Sequence, residues 1–508
     1  MPDILAVHAA AQPDKPALIQ GERVLSFAQL NERATQAANA FRELGLEPGQ
    51  RVAVQSYNSI AGFEISAGLR KVEGVGVPVN FRLRGEELAY VLSDSGARLV
   101  CAGRDFVEHV EAVRPQVPGD PAFVAVGSAP PPGWLVYEEL LARVSAEAPP
   151  PSAGDGLGSS MIYTSGTTGH PKGAYRPEGV SLDYVLQSLQ LFDLNGDDVH
   201  LMAGPGYHSA VGYFCALTGA TGGTVVIMSR FDAEGALRLI QGHRVTTTFM
   251  APTLLHRIMD LPEDVRARYD VSSMRCLILG AAPCPVALKE RAIRYFGECL
   301  YEFYGATETG INLVLRPGDQ LRKPGSAGTV VPGQEILLLD DDGKQVPEGQ
   351  PGELWVRNDT LATYFNRPEA TRGAMRDGYF SVGDVAYRDA EGYYYICDRK
   401  VDMVITGGAN VYPAEVEACL HAHPAVRDAA VIGVPDDEWG EAVKAVVALQ
   451  PGATATEQEL IDWCRGRIAD YKRPRSVDFV DELPRDQAGK LLKRQIRQPY
   501  WAGTGRRI

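Results

Sequence analysis

The sequence predicts an α/β protein: a large N-terminal domain of layered α/β sheets with a β-rich subdomain, then a small α+β C-terminal domain. Three observations carry this. Apolar strand-like runs alternate with helical patterns through residues 26–296, which is the signature of α/β layers. From about Gly325 to Val356 the texture changes to short strands punctuated by glycine and proline. After Arg399 a compact module follows, with two strand-like runs among helical patterns. At 508 residues the chain also far exceeds the size at which one core stops growing.

The elements follow in order. Residues 26–45 open on a cap-like Ser26 and carry apolar residues at Leu30, Ala34, Ala37, Ala38, Phe41 and Leu44, a helix of period 3.6 ended by Gly45. RVAVQS reads as a strand, then come a helical stretch and VGVPVN. The Pro-rich segment from Ala146 to Ser160 is a linker or loop. GGTVVIMS, a helix near Ala233 to Gly242, TTTFMAP, RCLILGAAP and a helix from Val286 to Phe296 repeat the alternation. In the last module AAVIGVP and KAVVALQ read as strands, with EVEACLHAH and EQELIDWCRGRIADY as helices. A boundary between Asp398 and Asp402 divides the chain into an N-terminal domain, 1–398, and a C-terminal domain, 399–508.

Hydrophobic residues at 45% and charged residues at 22% suit a globular protein with a sizeable core. The net charge of −14 disfavours nucleic acid or an anionic membrane surface as main partner, so a small anionic ligand needs a locally basic pocket. Eight dispersed cysteines, none spaced as a zinc or redox pair, read as reduced buried thiols. No apolar run reaches 18 residues and no basic leader precedes one. A soluble, cytoplasmic protein without a transmembrane segment is expected; a homodimer is compatible with this reading.

The stretch Tyr163–Gly173, YTSGTTGHPKG, is the most informative in the chain. Its small hydroxyl residues and glycines leave backbone N–H groups free to surround a polyphosphate, and Lys172 adds positive charge. A Walker-type loop needs Gly-Lys followed by Ser or Thr, whereas Lys172 follows Pro171 and precedes Gly173. Gly280-Ala281-Ala282 lies just after the apolar CLIL run, at the carboxyl end where open α/β sheets bind ligands.

With YGATE at Tyr304–Glu308, Asp384 in YFSVGD, Arg399 in CDRK and Lys490 in LPRDQAGK, this order resembles the adenylate-forming superfamily of acyl- and aryl-CoA synthetases, luciferase and amino-acid adenylation domains. The resemblance implies that Thr164, Ser165, Gly166, Thr167, Thr168, Gly169 and Lys172 hold the ATP phosphates, and that Gly280, Ala281 and Ala282 contact adenine. It implies that Tyr304 stacks on the base with Gly305 beside it in the nucleotide site, that Thr307 meets the α-phosphate and that Glu308 helps hold Mg²⁺, a hard ion suited to oxygen. Asp384 would accept the ribose hydroxyls and Arg399 would reach ribose and phosphate. Lys490 would bridge the carboxylate and α-phosphate as charge develops on phosphorus. His208, in GPGYHSA, would border the acyl site, which with Lys490, Thr164 and Glu308 completes the implied catalytic set.

A carboxylate is a poor electrophile, so the implied reaction has two halves: acid and ATP give acyl-AMP and pyrophosphate, then a thiol attacks the carbonyl. Such phosphoryl chemistry needs positioning and charge neutralisation, and no protein nucleophile. TGGANVYPAEVE at Thr406–Glu417 resembles the stretch that lines the pantetheine tunnel of acyl-CoA synthetases, naming CoA as donor and Gly407 and Gly408 as tunnel residues. Trp439 would join the tunnel wall, and Lys472, Arg473 and Arg475 would meet the CoA phosphates. The family is thought to rotate its C-terminal domain between steps; where it usually has Asp or Lys at the pivot, this chain has Val401. Residues 205–214 hold no carboxylate to pair with a substrate ammonium. Ala210, Val211, Phe214, Gly280, Gly305 and Ala306 suggest an apolar pocket for a fatty or other hydrophobic acid, with an aryl or polycyclic acid as the alternative; loading a carrier protein is the other alternative to CoA.

Overall fold

The computed structural model describes residues 3–127, 130–149, 159–164, 171–399, 402–406, 409–436, 439–485 and 491–502, the side chains of 398, 399, 409 and 410 excepted. Two large sheets form the N-terminal bulk. In a nine-stranded sheet, Val199–Met202, Thr224–Ile227, Thr247–Met250, Cys276–Leu279 and Leu300–Ala306 run parallel. An eight-stranded sheet is built on parallel Arg51–Gln55, Val75–Pro78, Leu99–Gly103 and Ser159–Thr164. These strands are apolar because helices cover both faces.

Helices Phe27–Glu43 and Ile60–Lys71 pack against both sheets. Phe27, Leu30 and Ile60 join the core of the nine-stranded sheet, while Phe41, Ile65 and Leu69 join that of the eight-stranded one. The first begins on the capping box of Ser26 with Gln29 and ends before Gly45, which takes a left-handed φ of 78°. Gly68 lets the helices touch: a Cβ there would lie 2.8 Å from that of Ala37. Helices Ala233–His243, Pro252–Met259 and Val286–Phe296 cover the outer face of the nine-stranded sheet. Gly85–Ser95 and Val107–Val113 cover that of the other.

The Gly/Pro-punctuated region forms a smaller antiparallel sheet around Glu335–Leu339, Gly352–Arg357, Asp384–Arg388 and Tyr394–Arg399. From it Thr363–Tyr364 returns to pair with Lys172–Arg176 at the edge of the eight-stranded sheet. Beyond Arg399, pairing moves to a separate sheet that starts at Val404–Thr406 and centres on the long hairpin Val426–Asp436 and Gly440–Leu449. The helix expected over EQELIDWCRGRIADY stops at Cys464, because Gly466 turns the chain at a φ of 72°. The 150–158 part of the Pro-rich segment lies outside the described residues. Among the described residues no disulfide joins any of the eight cysteines. No helix among the described residues is long and apolar enough to cross a membrane.

Candidate active site

The phosphate-loop segment, Gly280–Ala282, YGATE and His208 come at or after the ends of parallel strands, while Asp384 opens an antiparallel one. Ser159–Thr164 and Lys172–Arg176 form a hairpin in which Thr164 lies opposite Lys172, so these two residues close the phosphate-loop segment; Ser165–Gly169 themselves lie outside the described residues. The hairpin is anchored from helix Gly85–Ser95. Tyr163 OH donates to Asp94 Oδ2 at 2.8 Å, Arg367 donates to Asp94 Oδ1 at 2.7 Å, and Tyr90 OH donates to the Pro171 carbonyl at 3.0 Å. Burial and the Asp94 carboxylate push the Tyr163 phenol far above its ordinary value, so it stays a donor.

YGATE lies at the turn between Leu300–Ala306 and Gly310–Leu315. Gly305 is required by that turn: a Cβ would meet the Gly310 carbonyl oxygen at 2.0 Å. Glu308 is 6% exposed, and its Oε1 accepts from Thr164 Oγ1 at 3.2 Å and from Tyr364 OH at 3.0 Å. Thr307 Oγ1 lies 3.1 Å from Ser209 Oγ, and its carbonyl accepts from the Arg176 guanidinium at 2.6 Å. Arg176 also donates to the Thr360 carbonyl, and burial lowers its pKa. Tyr304 OH donates to Asp384 Oδ2 at 2.6 Å, and Asp384 stands opposite Arg399 across two paired strands.

Among the described residues no group of three or more His, Cys, Asp or Glu could hold a metal ion. A carboxylate beside a hydroxyl still suits Mg²⁺, which keeps water and nucleotide phosphates as its other ligands.

After Cys276–Leu279 the chain turns at Ala281, whose φ of 69° is uncommon for a residue with a Cβ. Gly280 makes room for an aromatic ring: a Cβ would lie 2.8 Å from Phe303 and 3.2 Å from Phe249. Phe214, Phe249 and Phe303 cluster with centroids 5.6 to 6.0 Å apart. His208 precedes helix Ser209–Thr221, on a loop held by Asn58. The Asn58 amide donates to the carbonyls of Gly204 at 2.8 Å and Met228 at 2.9 Å, and its oxygen accepts from Gly206 N at 2.8 Å.

Thr164, Lys172, His208, Tyr304, Glu308 and Asp384 line one continuous cleft. Arg485 and Leu491, paired as an antiparallel bridge on either side of the segment holding Lys490, line it too. Lys490, Gly407 and Gly408 lie outside the described residues, as does the Arg399 side chain. Trp439 is 42% exposed with Arg475 over its ring at 5.5 Å. Lys472 and Arg473 are engaged by Glu415 at 2.7 Å and Asp470 at 3.0 Å, so phosphate binding there would compete with ion pairs.

Asn58, Asp94, Arg176 and Tyr364 escaped the sequence reading. Only Asn58 carried a signal, as a polar residue just past the carboxyl end of an apolar strand; the others act on partners as far as 273 positions away.

The family model described as AMP-binding enzyme matches residues 5–365, and that of the AMP-binding enzyme C-terminal domain matches 415–490. The chain is 38% identical over 498 residues to a feruloyl-CoA synthase of Amycolatopsis sp, covering 97% of each. It is 35% identical over 490 residues to a long-chain-fatty-acid–CoA ligase of Mycobacterium tuberculosis, covering 94% of this chain and 93% of the relative. Its fold matches the crystal structure of an anthranilate CoA ligase in complex with anthranoyl-AMP at a TM-score of 0.90 and 30% identity, over 99% and 98% of the two chains.

Proposed function

This chain belongs to the AMP-binding enzymes of the adenylate-forming superfamily, a family of AMP-forming acid–CoA ligases, and from that premise we propose that it joins a hydrophobic carboxylic acid to CoA through an acyl adenylate. The observation that carries the proposal is the convergence of Thr164, Lys172, Tyr304, Glu308 and Asp384 on one cleft from segments spread over more than 200 positions. Tyr304 and Asp384 hold the nucleoside, the base on the ring and the ribose on the carboxylate. The hairpin closed by Thr164 and Lys172 takes the phosphates. Glu308 and Thr164 would hold Mg²⁺, which would neutralise phosphate charge when bound. Lys490, from the C-terminal domain 399–508, neutralises charge as an acid oxygen attacks the α-phosphorus and pyrophosphate departs. In the second half CoA sulfur attacks the acyl carbon, and AMP leaves with the bridging oxygen. Gly407, Gly408 and Trp439 line the approach of the thiol.

For the acid we infer a compact aryl substrate in preference to the fatty acid that the small residues suggest, supported by the aromatic residues lining the cleft. Phe214, Phe249 and Phe303 line the cleft and cluster with centroids 5.6 to 6.0 Å apart, an aromatic surface that supports an aryl substrate. Flat rings stack on such walls. A panel of cinnamate- and benzoate-type acids and of fatty acids from C6 to C16, assayed for pyrophosphate release with and without CoA, tests this. Turnover of aryl acids with CoA-dependent thioester is expected. Preference for long fatty acids would overturn the substrate class, and acyl-AMP that no CoA consumes would point to a carrier protein.

A further inference from the structure

Tyr364 stands between two opposite charges of the cleft. Its strand, Thr363–Tyr364, reaches the eight-stranded sheet after a long excursion and pairs with the strand that begins at Lys172, Tyr364 opposite Ala174. Tyr364 N donates to Thr371 Oγ1 at 2.9 Å, and Phe365 N donates to the Gly173 carbonyl at 2.9 Å, so its backbone is held from both sides. The ring packs edge-on against Phe380, centroids 5.9 Å apart. Lys172 Nζ lies 4.9 Å from the ring centroid, and the hydroxyl donates to Glu308 Oε1 at 3.0 Å. The residue just before the strand is tied to the same place, since Ala362 N donates to the Glu308 carbonyl at 2.8 Å. Among the described residues no ion pair joins Lys172 to Glu308.

We propose that Tyr364 is a positioning residue that keeps Lys172 and Glu308 from neutralising each other. The proposal rests on the functional reading above, in which the ammonium serves the phosphates and the carboxylate serves the metal. A flexible lysine and a buried carboxylate this close would close into a direct ion pair if nothing stood between them, and neither charge would then face the nucleotide. The tyrosine prevents this by meeting both, its π face holding the ammonium and its hydroxyl holding the carboxylate. An aliphatic residue at this position supplies neither.

The test is titration of the full-length protein with a fluorescent N-methylanthraniloyl-ATP, acid and CoA absent, once in Mg²⁺ and once in EDTA. Tyr364→Phe keeps the ring and is expected to weaken binding in Mg²⁺ on the order of tenfold, the size of a lost hydrogen bond to a charged group, with the affinity in EDTA unchanged. Tyr364→Leu removes the spacer and is expected to weaken binding under both conditions. Adding Glu308→Gln to Tyr364→Leu frees Lys172 and is expected to restore the EDTA affinity to that of the wild type. A purely structural role for Tyr364 gives no such rescue. Wild-type affinity for Tyr364→Leu in EDTA, or a double variant that stays weak there, would overturn the proposal. The readout is nucleotide binding, so a chain that bound ATP but ligated no acid would defeat the proposed function and leave this inference standing. A wild-type chain that bound no nucleotide would defeat both.

Discussion

His200 lies on the central strand Val199–Met202, 2% exposed, with Nδ1 2.9 Å from Thr247 Oγ1. Burial lowers its pKa from 6.5 to about 4, against a smaller opposing pull from Asp198. Above pH 6.5 the imidazole is neutral folded or unfolded and has no effect on stability. As pH falls below 6.5 the unfolded chain takes up a proton that the folded one refuses, so stability falls, by roughly 3 kcal/mol once pH nears 4. His200→Asn is therefore expected to flatten the dependence of the urea midpoint on pH between 6.5 and 4. Unfolding curves across that range check it, and an unchanged slope would count against the assignment. Glu308 and Asp384, also buried, each accept a hydrogen bond from a hydroxyl that the fold brings from a distant segment.

At the scale of elements, the phosphate hairpin is only as well placed as its anchors. The Asp94 side chain joins helix Gly85–Ser95 to Tyr163 on the hairpin and to Arg367 downstream. Asp94→Ala leaves a phenol and a guanidinium without their shared acceptor, a loss of about 1 to 3 kcal/mol that falls on the hairpin and on no ligand contact. Nucleotide affinity is expected to drop about tenfold while the unfolding midpoint moves by only a few degrees. Calorimetric binding and unfolding measured together check this; equal affinity would show that the loop needs no such brace. The phosphate-loop motif and YGATE were legible because they are local, short runs of fixed residue order; the strands Ser159–Thr164 and Lys172–Arg176 were not, the first of them beginning inside the segment read as a linker. The helix at Ser26 was legible through its cap and its period, and Gly45 through its stop. Tyr364 and Asp94 were not, because a tyrosine or an aspartate on a generic element has no local mark of its distant partner. The aromatic floor escaped for the same reason: Phe249 and Phe303 meet Phe214 only once parallel strands are ordered in the sheet. The helix at Glu457 ended early because Gly466, in its left-handed turn, outweighed an apolar period that ran on.

At the scale of the whole molecule, the proposed reaction calls in turn on Lys490 and on the Gly407–Gly408 segment, and a C-terminal module with its own sheet suits such an exchange. The smaller N-terminal sheet pairs as far as Arg399 and the C-terminal sheet begins at Val404, so the proposed pivot, Val401, belongs to the link between them. A hinge needs backbone freedom more than charge, and valine retains it although its branched side chain is stiffer. Val401→Pro fixes φ and is expected to slow thioester formation from pre-made acyl-AMP at least tenfold while acyl-AMP formation changes less than threefold, as rapid-quench assays of the two halves would read. Equal losses would place the pivot elsewhere. The claim on which all of this depends is that an acid oxygen attacks the α-phosphorus of ATP. Turnover of an acid labelled with ¹⁸O in its carboxylate, with CoA and Mg·ATP, reports it directly by mass spectrometry of the products. AMP carrying one ¹⁸O atom per turnover is the predicted result; unlabelled AMP, or label in inorganic phosphate, would contradict it.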